Sequence, residues 1–425
     1  MSEYAQSLSA YAPRWTALDR LLRRRLLQQM AQLHDGSVRI ADSLGTTNLG
    51  TAAADSDTIE IRVSDAGFYR AVAANGSVGA GEAYIKGLWQ CDDLVGLVRL
   101  LVRNRDLLDG METGLARLGG WALRSWHALR PNTRSGARRN IAAHYDLGNA
   151  FFATFLSADL MYSSALFAPG DDLERASLRK LERLCQKLRL QPGQRLLEIG
   201  TGWGGFALHA ARHYDCHITT TTISREQHAL ATARVAEAGL QHKVDVVMQD
   251  YRDLHGQYDR LVSVEMVEAI GALNLPGYFA ALGRLLKPDG LAVLQAITIE
   301  DHRYAQALRV VDFIKRYVFP GSFIPSIAAL LSAKTHSSDL ALVHMEDFGL
   351  SYAQTLQCWR ERFLARRDEV RAQGFDDEFL RLWEFYLAYC EGGFRERSIG
   401  VAQLVLARPG CRDAEFVVGL AGGAA

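Results

Sequence analysis

Arg195-Leu-Leu-Glu198-Ile-Gly200-Thr-Gly202-Trp203-Gly204-Gly205-Phe206 is the stretch that decides the fold. Its first half is a short apolar run, and glycines crowd the point where that strand gives way to a helix, a place where backbone can approach a ligand closely. Outward from it the pattern alternates. A helix is expected over 204–213, a strand over 216–222, a helix over 224–238 and a strand over 243–249, with apolar strands at 258–264 and 290–298. Strands alternating with helices build right-handed βαβ units, so the expected class is α/β with a Rossmann-like, doubly wound and mostly parallel sheet.

Gly200, Gly202 and Gly205 also satisfy the GxGxxG spacing of dinucleotide-binding folds, which makes an NAD-dependent oxidoreductase a competing reading. Such a fold wants an acidic residue at the end of the second strand, about 20 residues further on. Here that strand ends in a threonine run, 219–222. The acids fall elsewhere, with Glu198 inside the first loop and Asp250 just after the third strand. Both placements suit the two ends of S-adenosylmethionine, its amino acid and its adenine.

Toward the N-terminus, Trp15, Leu18, Leu22, Leu26, Met30 and Leu33 recur at the spacing of one helical face, with Arg20, Arg23, Arg24 and Arg25 between them. Ser37–Ile40 and Thr58–Val63 read as strands, and Phe68–Ala74 and Asp92–Arg103 as helices around the Gly-rich segment GSVGAGEAY. This is the pattern of a smaller, helix-rich mixed domain. Between Thr113 and Ala143 stand six arginines, Arg117, Arg124, Arg130, Arg134, Arg138 and Arg139, with Trp121 and Trp126 and no acid. The run PNTRSGARRN that ends the stretch has linker composition, so the expected domains are 1–135 and 136–425.

Forty-eight basic residues balance 48 acidic ones, so the global charge gives no reason to expect nucleic acid as a partner. No run of about 18 apolar residues is present, and the start has no signal-peptide pattern, from which a cytoplasmic protein is expected. The cysteines, Cys91, Cys185, Cys216, Cys358, Cys390 and Cys411, are scattered without a CxxC pair, which argues against a zinc site or a disulfide framework. No metal is expected.

Several segments together resemble the cyclopropane-fatty-acyl-phospholipid synthase family: HYDLGNAFFATFLSADLMYSSALF (144–167), LLEIGTGWGGF (196–206), TISREQ (222–227), QDYRDL (249–254) and EMVEAIG (265–271). FIKRYVFPGSFIPS (313–326), YAQTLQCWRERF (352–363) and YLAYCEGGFRER (386–397) extend the likeness, and GSVGAGEAYIKGLWQCDDL (76–94) is similar to the family's N-terminal domain. By motif position the resemblance implies S-adenosylmethionine contacts from Tyr162, Ser163, Glu198, Gly200, Gly202, Trp203, Gly204, Thr222, Gln227, Gln249 and Asp250. An acyl-chain-binding insertion is implied at about residues 300–340.

The implied reaction methylates the cis double bond of a phospholipid acyl chain, and the resulting carbocation must lose a proton before a cyclopropane closes. Such a site wants dry walls, π faces or carboxylates, and a base. The resemblance implies Glu268 and Tyr352 among the catalytic residues, and a bound bicarbonate as base held by a cysteine, a glutamate, a histidine, a tyrosine and a backbone group. The sequence departs from that set. Ser164 stands for the cysteine and Gln295 for the histidine, while Glu268, Tyr352 and Ile297 are in place. Glu265 adds a carboxylate where the bacterial pattern often has glycine, and two neighbouring carboxylates can push their pKa values apart, fitting one for proton removal. Cys390 matches a family cysteine, yet no activating His or Lys lies near it in sequence, so a structural thiol is the equal reading.

An enzyme without a membrane span must dock on the bilayer to reach acyl chains, and Arg/Trp-rich segments are suited to an anionic membrane surface. The expectation is a peripheral protein on the inner face of the membrane, with a homodimer as one assembly. Methylene- or methyl-branched products share the first methyl transfer, and a non-catalytic lipid-binding protein is the remaining alternative.

Overall fold

The protein is described by a computed structural model covering residues 15–51, 58–106 and 147–412. The expected boundary at 135 and the Arg/Trp segment 113–143 lie outside the described residues. Contacts divide the chain into two units: residues 1–123 with 374–392, and residues 124–373 with 393–425.

The first unit holds a four-stranded sheet in the order β2-β1-β3-β4, built from β1 (Gly36–Asp42), β2 (Gly45–Thr51), β3 (Ile59–Val63) and β4 (Trp89–Cys91). Its helices are α1 (Ala17–Met30), α2 (Gly67–Ile85) and α3 (Leu94–Arg103). Thr16 and Asp19 cap α1 reciprocally, each side chain bonding the other's backbone, which satisfies N–H groups the first turn leaves open. Leu26 and Met30 are buried, whereas Leu18 and Leu21 are exposed beside Arg20, Arg24 and Arg25. Arg23 turns inward to Asp42 at 2.6 Å.

The Gly-rich segment differs from its expectation: it is helical and forms the second half of α2. Gly76 (φ 56°) kinks the helix there, and a Cβ on Gly79 would collide with the Ala71 carbonyl. The glycines permit this chain crossing and do not end the helix. Strand β2 was not expected at all.

The second unit carries a seven-stranded sheet in the order β10-β11-β9-β8-β5-β6-β7. Strands β5 (Arg195–Ile199), β6 (His217–Thr222), β7 (Val244–Met248), β8 (Tyr258–Val264) and β9 (Leu286–Ile299) run parallel. β10 (Ala341–Asp347) and β11 (Ile399–Ala407) add antiparallel strands at one edge. The expected class therefore stands, and the sheet's two antiparallel strands complete it. Helices α4 (Asn149–Ala153), α5 (Leu173–Leu188), α6 (Gly205–Tyr214), α7 (Arg225–Glu237) and α8 (Leu275–Leu285) precede the insertion helices α9 (Asp301–Arg309), α10 (Phe313–Tyr317) and α11 (Ile327–Ser337). After them come α12 (Gly349–Ala365) and α13 (Arg367–Ala372), and then α14 (Asp377–Arg395), whose residues 377–392 cluster with the first unit.

Two apolar clusters sandwich the sheet, one including Leu184, Leu196, Phe206 and Val262, the other Leu197, Leu261, Phe279 and Leu294. Leu196 and Leu197 go to opposite clusters because successive strand residues face opposite ways. Chain order reverses between β5 and β8, and a crevice opens beyond the carboxyl ends of strands at such a switch point.

Candidate active site

The loop after β5 lines a pocket at that switch point. Gly200, Gly202 and Gly204 take φ of 100°, 51° and 85°, and a Cβ on Gly202 would meet nothing within 4 Å, so the backbone there faces open space. Tyr162, Ser163, Glu198, Trp203, Thr222, Gln227, Gln249 and Asp250 line the same pocket, as do Gly200, Gly202 and Glu265. The residues read as cofactor contacts thus converge, Gly204 as the N-cap of α6 behind the loop.

Each is held by its neighbours. Glu198 at the end of β5 accepts from the Thr220 hydroxyl at 2.6 Å; burial pushes its carboxyl up to about 8 against the pull of Thr220 and Lys180. The threonine run of β6, which lacks the acid of a nicotinamide-binding fold and holds the expected contact Thr222, therefore also supplies Glu198's partner. Thr222 donates to Gln227 at 2.8 Å, and Asp250 is held bidentately by Arg252 at 2.8 and 2.6 Å. Trp203 is buried, donates to Asn149 at 2.6 Å and packs on Phe152 with centroids 5.0 Å apart.

This donor set fits S-adenosylmethionine: a glycine loop with open space before it, and the Glu198 and Asp250 carboxylates and aromatic side chains in the lining. Glu198 or Asp250 would hold hydroxyl and amine groups, and Trp203 and Tyr162 the apolar parts.

At the pocket's other wall the structure gathers the catalytic candidates. Glu265 follows β8 with φ 50°, a left-handed conformation unusual for a residue with a side chain. Its Oε1 accepts from the Ser164 N–H at 2.9 Å and from Gln295 Nε2 at 2.8 Å, and its Oε2 from the Tyr352 hydroxyl at 2.7 Å. Ser164 is placed by α12, since Thr355 accepts from the Ala165 N–H at 3.1 Å and Ser351 from the Phe167 N–H at 3.2 Å. Gln295 comes from the middle of β9 and Tyr352 from α12. Burial pushes the Glu265 carboxyl up; Gln295, Tyr352, Ser164 and Lys180 oppose it.

Glu268 lies in the following short turn and accepts from the Ile297 N–H at 2.5 Å. Its other oxygen is buried without a hydrogen-bond partner among the described residues. Burial, and then the Glu265 charge, push it up to about 8.

Ser164, Gln295 and Tyr352 thus close on the Glu265 carboxylate, and Glu268 lies in the turn that follows it. Bicarbonate does not fit this arrangement: the Ser164, Gln295 and Tyr352 donors already close on Glu265. Cys390 does not line the pocket; it is half-buried on α14, in the part of that helix that clusters with the first unit. Among the described residues no group of three or more His, Cys, Asp or Glu could hold a metal.

Sequence reasoning missed Lys180 and Lys187. Both are fully buried on α5, and Lys180 Nζ donates to Ser163 Oγ at 2.9 Å while burial lowers its pKa to about 8. The signal was present: Leu173, Lys180 and Lys187 recur every seven residues, along the face that buries Leu184 and Leu188. Around Tyr162 stand Trp359, Phe152 and Phe319, at ring separations of 5.3, 5.2 and 6.4 Å. Phe319 belongs to the segment expected to bind the acyl chain.

A family model described as mycolic acid cyclopropane synthetase matches residues 132–404. The chain is similar to the tuberculostearic acid methyltransferase of Mycobacterium tuberculosis, 39% identical over 392 residues that make 88% of each chain. It is also similar to the cyclopropane-fatty-acyl-phospholipid synthase of Escherichia coli K12, 37% identical over 384 residues, 90% of this chain and 96% of that one. Among solved structures it resembles a mycolic acid cyclopropane synthase complexed with SAH and CTAB, with 28% identity and a TM-score of 0.60, covering 64% of this chain and 98% of that one.

Proposed function

Because the chain belongs to the mycolic acid cyclopropane synthetase family, we propose that it closes a cyclopropane on the cis double bond of a phospholipid acyl chain, with Glu265 as the base. It is an S-adenosylmethionine-dependent C-methyltransferase acting on an unsaturated acyl chain. The nicotinamide reading falls with that membership.

S-adenosylmethionine, when bound, supplies an electrophilic methyl group. The chain's own residues must then tolerate positive charge on the lipid and remove one proton. Tyr162 lines the pocket with a π face that favours a cation, and Trp359 and Phe319 pack around it. The observation that carries the base assignment is the Glu265 carboxylate, gripped by Ser164, Gln295 and Tyr352 at the pocket wall. These donors aim it and oppose the rise that burial imposes, and in its ionised form it accepts the proton from the methyl group newly attached to the chain. Glu268, which lacks such donors on one oxygen, is pushed up by burial and by the Glu265 charge.

Mass spectrometry of lipids from cells expressing the protein tests this. Monounsaturated chains gain one CH2 with the wild type; Glu265→Gln loses about 10²-fold or more in turnover while S-adenosylhomocysteine still binds. Turnover retained in Glu265→Gln overturns the base assignment. A second reading, a methylene- or methyl-branched product, is favoured by the likeness to the tuberculostearic acid methyltransferase. In that reading a hydride moves from the methylated carbon to its cationic neighbour before Glu265 takes a proton from the methyl group, giving a methylene branch, or Glu265 takes a proton from the chain, giving an unsaturated methyl branch; ring-versus-branch fragmentation decides it.

For the first unit the proposal is association with lipid. A cavity of about 240 Å³ lies among Leu26, Phe68, Trp89, Leu97, Val98 and Phe385, an apolar lining that favours hydrocarbon over water. The exposed Leu18 and Leu21 with Arg20, Arg24 and Arg25 on α1 support attachment to an anionic membrane surface.

A further inference from the structure

A line of buried side chains runs from α5 through two strands to Glu265. Lys187 Nζ, fully buried, donates to Gln403 Oε1 at 2.7 Å; Gln403 Nε2 donates to Gln295 Oε1 at 2.9 Å; Gln295 Nε2 donates to Glu265 Oε1 at 2.8 Å. Register makes the middle link, because Gln403 on β11 pairs directly with Gln295 on β9. Both glutamines are completely buried, where an unsatisfied amide is costly.

The chemistry of the ends fixes the direction. An ammonium can only donate, so Gln403 must turn its oxygen to Lys187 and its NH2 to Gln295. Gln295 must then offer its oxygen to Gln403 and its NH2 to Glu265. An ionised carboxylate can only accept, so the far end agrees with the near one. With both ends charged, every bond in the line is made in one orientation, and such lines strengthen link by link.

We propose that Lys187, acting through Gln403 and Gln295, is a positioning residue that locks the Gln295 amide with its N–H toward Glu265 and so keeps that carboxylate ionised and ready to take a proton. This rests on the assignment of Glu265 as the base. The role needs a buried cation at that end of the line, and the surroundings supply its counter-charge. Glu346 on β10 pairs with Lys187 at 2.6 Å, with Arg183 on α5 and His344 on β10 beside them. The titratable groups facing Glu265 itself are Lys180 on α5, Tyr352 on α12 and Glu268 in the turn after β8.

The test is the pH dependence of kcat/KM in the full-length enzyme, with S-adenosylhomocysteine affinity as a check on the fold. In Lys187→Met the Gln403 amide is released, Gln295 can turn its oxygen to Glu265, and the protonated carboxyl gains an acceptor. The acidic limb should move up by about one pH unit, a typical perturbation for a carboxyl in a folded protein. Lys187→Arg should leave the limb where it is. Gln403→Glu, nearly isosteric, keeps an acceptor for Lys187 but has no N–H for Gln295, and should shift the limb as Lys187→Met does. This variant decides the matter if Lys187→Met does not fold.

An unmoved limb in Gln403→Glu, or activity lowered equally at every pH, overturns the proposal and leaves Lys187 a structural cation. Glu265→Gln separates the two failures. If that variant is inactive while the limbs stay put, only the relay falls; if it is active, the base assignment falls first.

Discussion

Two glutamates three residues apart meet different surroundings at the end of β8. Glu265 is closed in by a backbone N–H, an amide and a phenol, whereas Glu268 keeps a buried oxygen without a partner among the described residues. Burial raises both, and for Glu268 the nearby Glu265 charge adds to the rise, to about 8. In the unfolded chain a glutamate titrates near ~4.3. Between those two values the folded state holds a proton that the unfolded state has released. The folded state's advantage from this group is therefore complete below the unfolded value and is lost as pH rises toward 8. Glu198, also at about 8, acts in the same direction. Glu268→Gln removes one of these groups, since an amide never ionises. Its melting temperature relative to wild type should change little at about pH 4 and rise by about 2–4 °C, the effect of roughly 1 kcal/mol, by pH 8. Thermal melts across that range measure it. A difference that stays flat with pH would mean that Glu268 ionises as readily in the fold as out of it.

At the scale of elements, α2 and α5 each break a rule of sequence reading for a local reason. In α2, Gly79 leaves no room for a Cβ against the Ala71 carbonyl, because the chain turns sharply at Gly76 and passes close to itself. Gly79→Val should cost about 1–3 kcal/mol, as other overpacking substitutions do, and lower the melting temperature of the full chain. An unchanged melting curve would show that α2 can slide to make room. Glycines usually interrupt helices, so GSVGAGEAY read as a break. In α5 the misleading residues are lysines: charge normally marks a solvated face, and nothing local announces that Ser163 and Gln403 wait to receive Lys180 and Lys187. The parallel strands were legible, β8 at its observed ends, because each is a compact run of apolar or β-branched residues alternating with helical segments. β10 was not legible, since its exposure alternates and it carries His344, Glu346 and Asp347, as edge strands do. β11 was hidden likewise, an apolar run interrupted by Gln403 and separated in sequence from its partner β9 by the insertion and several helices. The pocket loop and the Glu265 group were readable by motif; the relay behind them depends on which strand lies beside which, and that is tertiary information.

For the whole molecule, equal numbers of acidic and basic residues mean that attraction to a membrane must come from local surface rather than from net charge. Among the described residues no helix is long and apolar enough to cross a bilayer. The association with lipid proposed above is a surface contact, partly apolar and partly electrostatic. The described part of that surface is α1, where Leu18 and Leu21 are 55% and 45% exposed beside Arg20, Arg24 and Arg25. Outside the described residues, the sequence also carries Arg117, Arg124, Arg130, Arg134, Arg138 and Arg139 with Trp121 and Trp126. Each basic residue near an anionic leaflet contributes about 1 kcal/mol, and that contribution is screened by salt. Binding to vesicles containing phosphatidylglycerol should accordingly exceed binding to phosphatidylcholine vesicles and should fall as salt is raised. Replacing Arg20, Arg24 and Arg25 with Gln should weaken binding, by roughly tenfold or more, with the same fall in turnover on vesicles. Leu18→Ser with Leu21→Ser should weaken it at every salt concentration, because the apolar part is not screened. Cosedimentation with vesicles reads all of these, and equal binding to neutral and anionic vesicles would sink the electrostatic account.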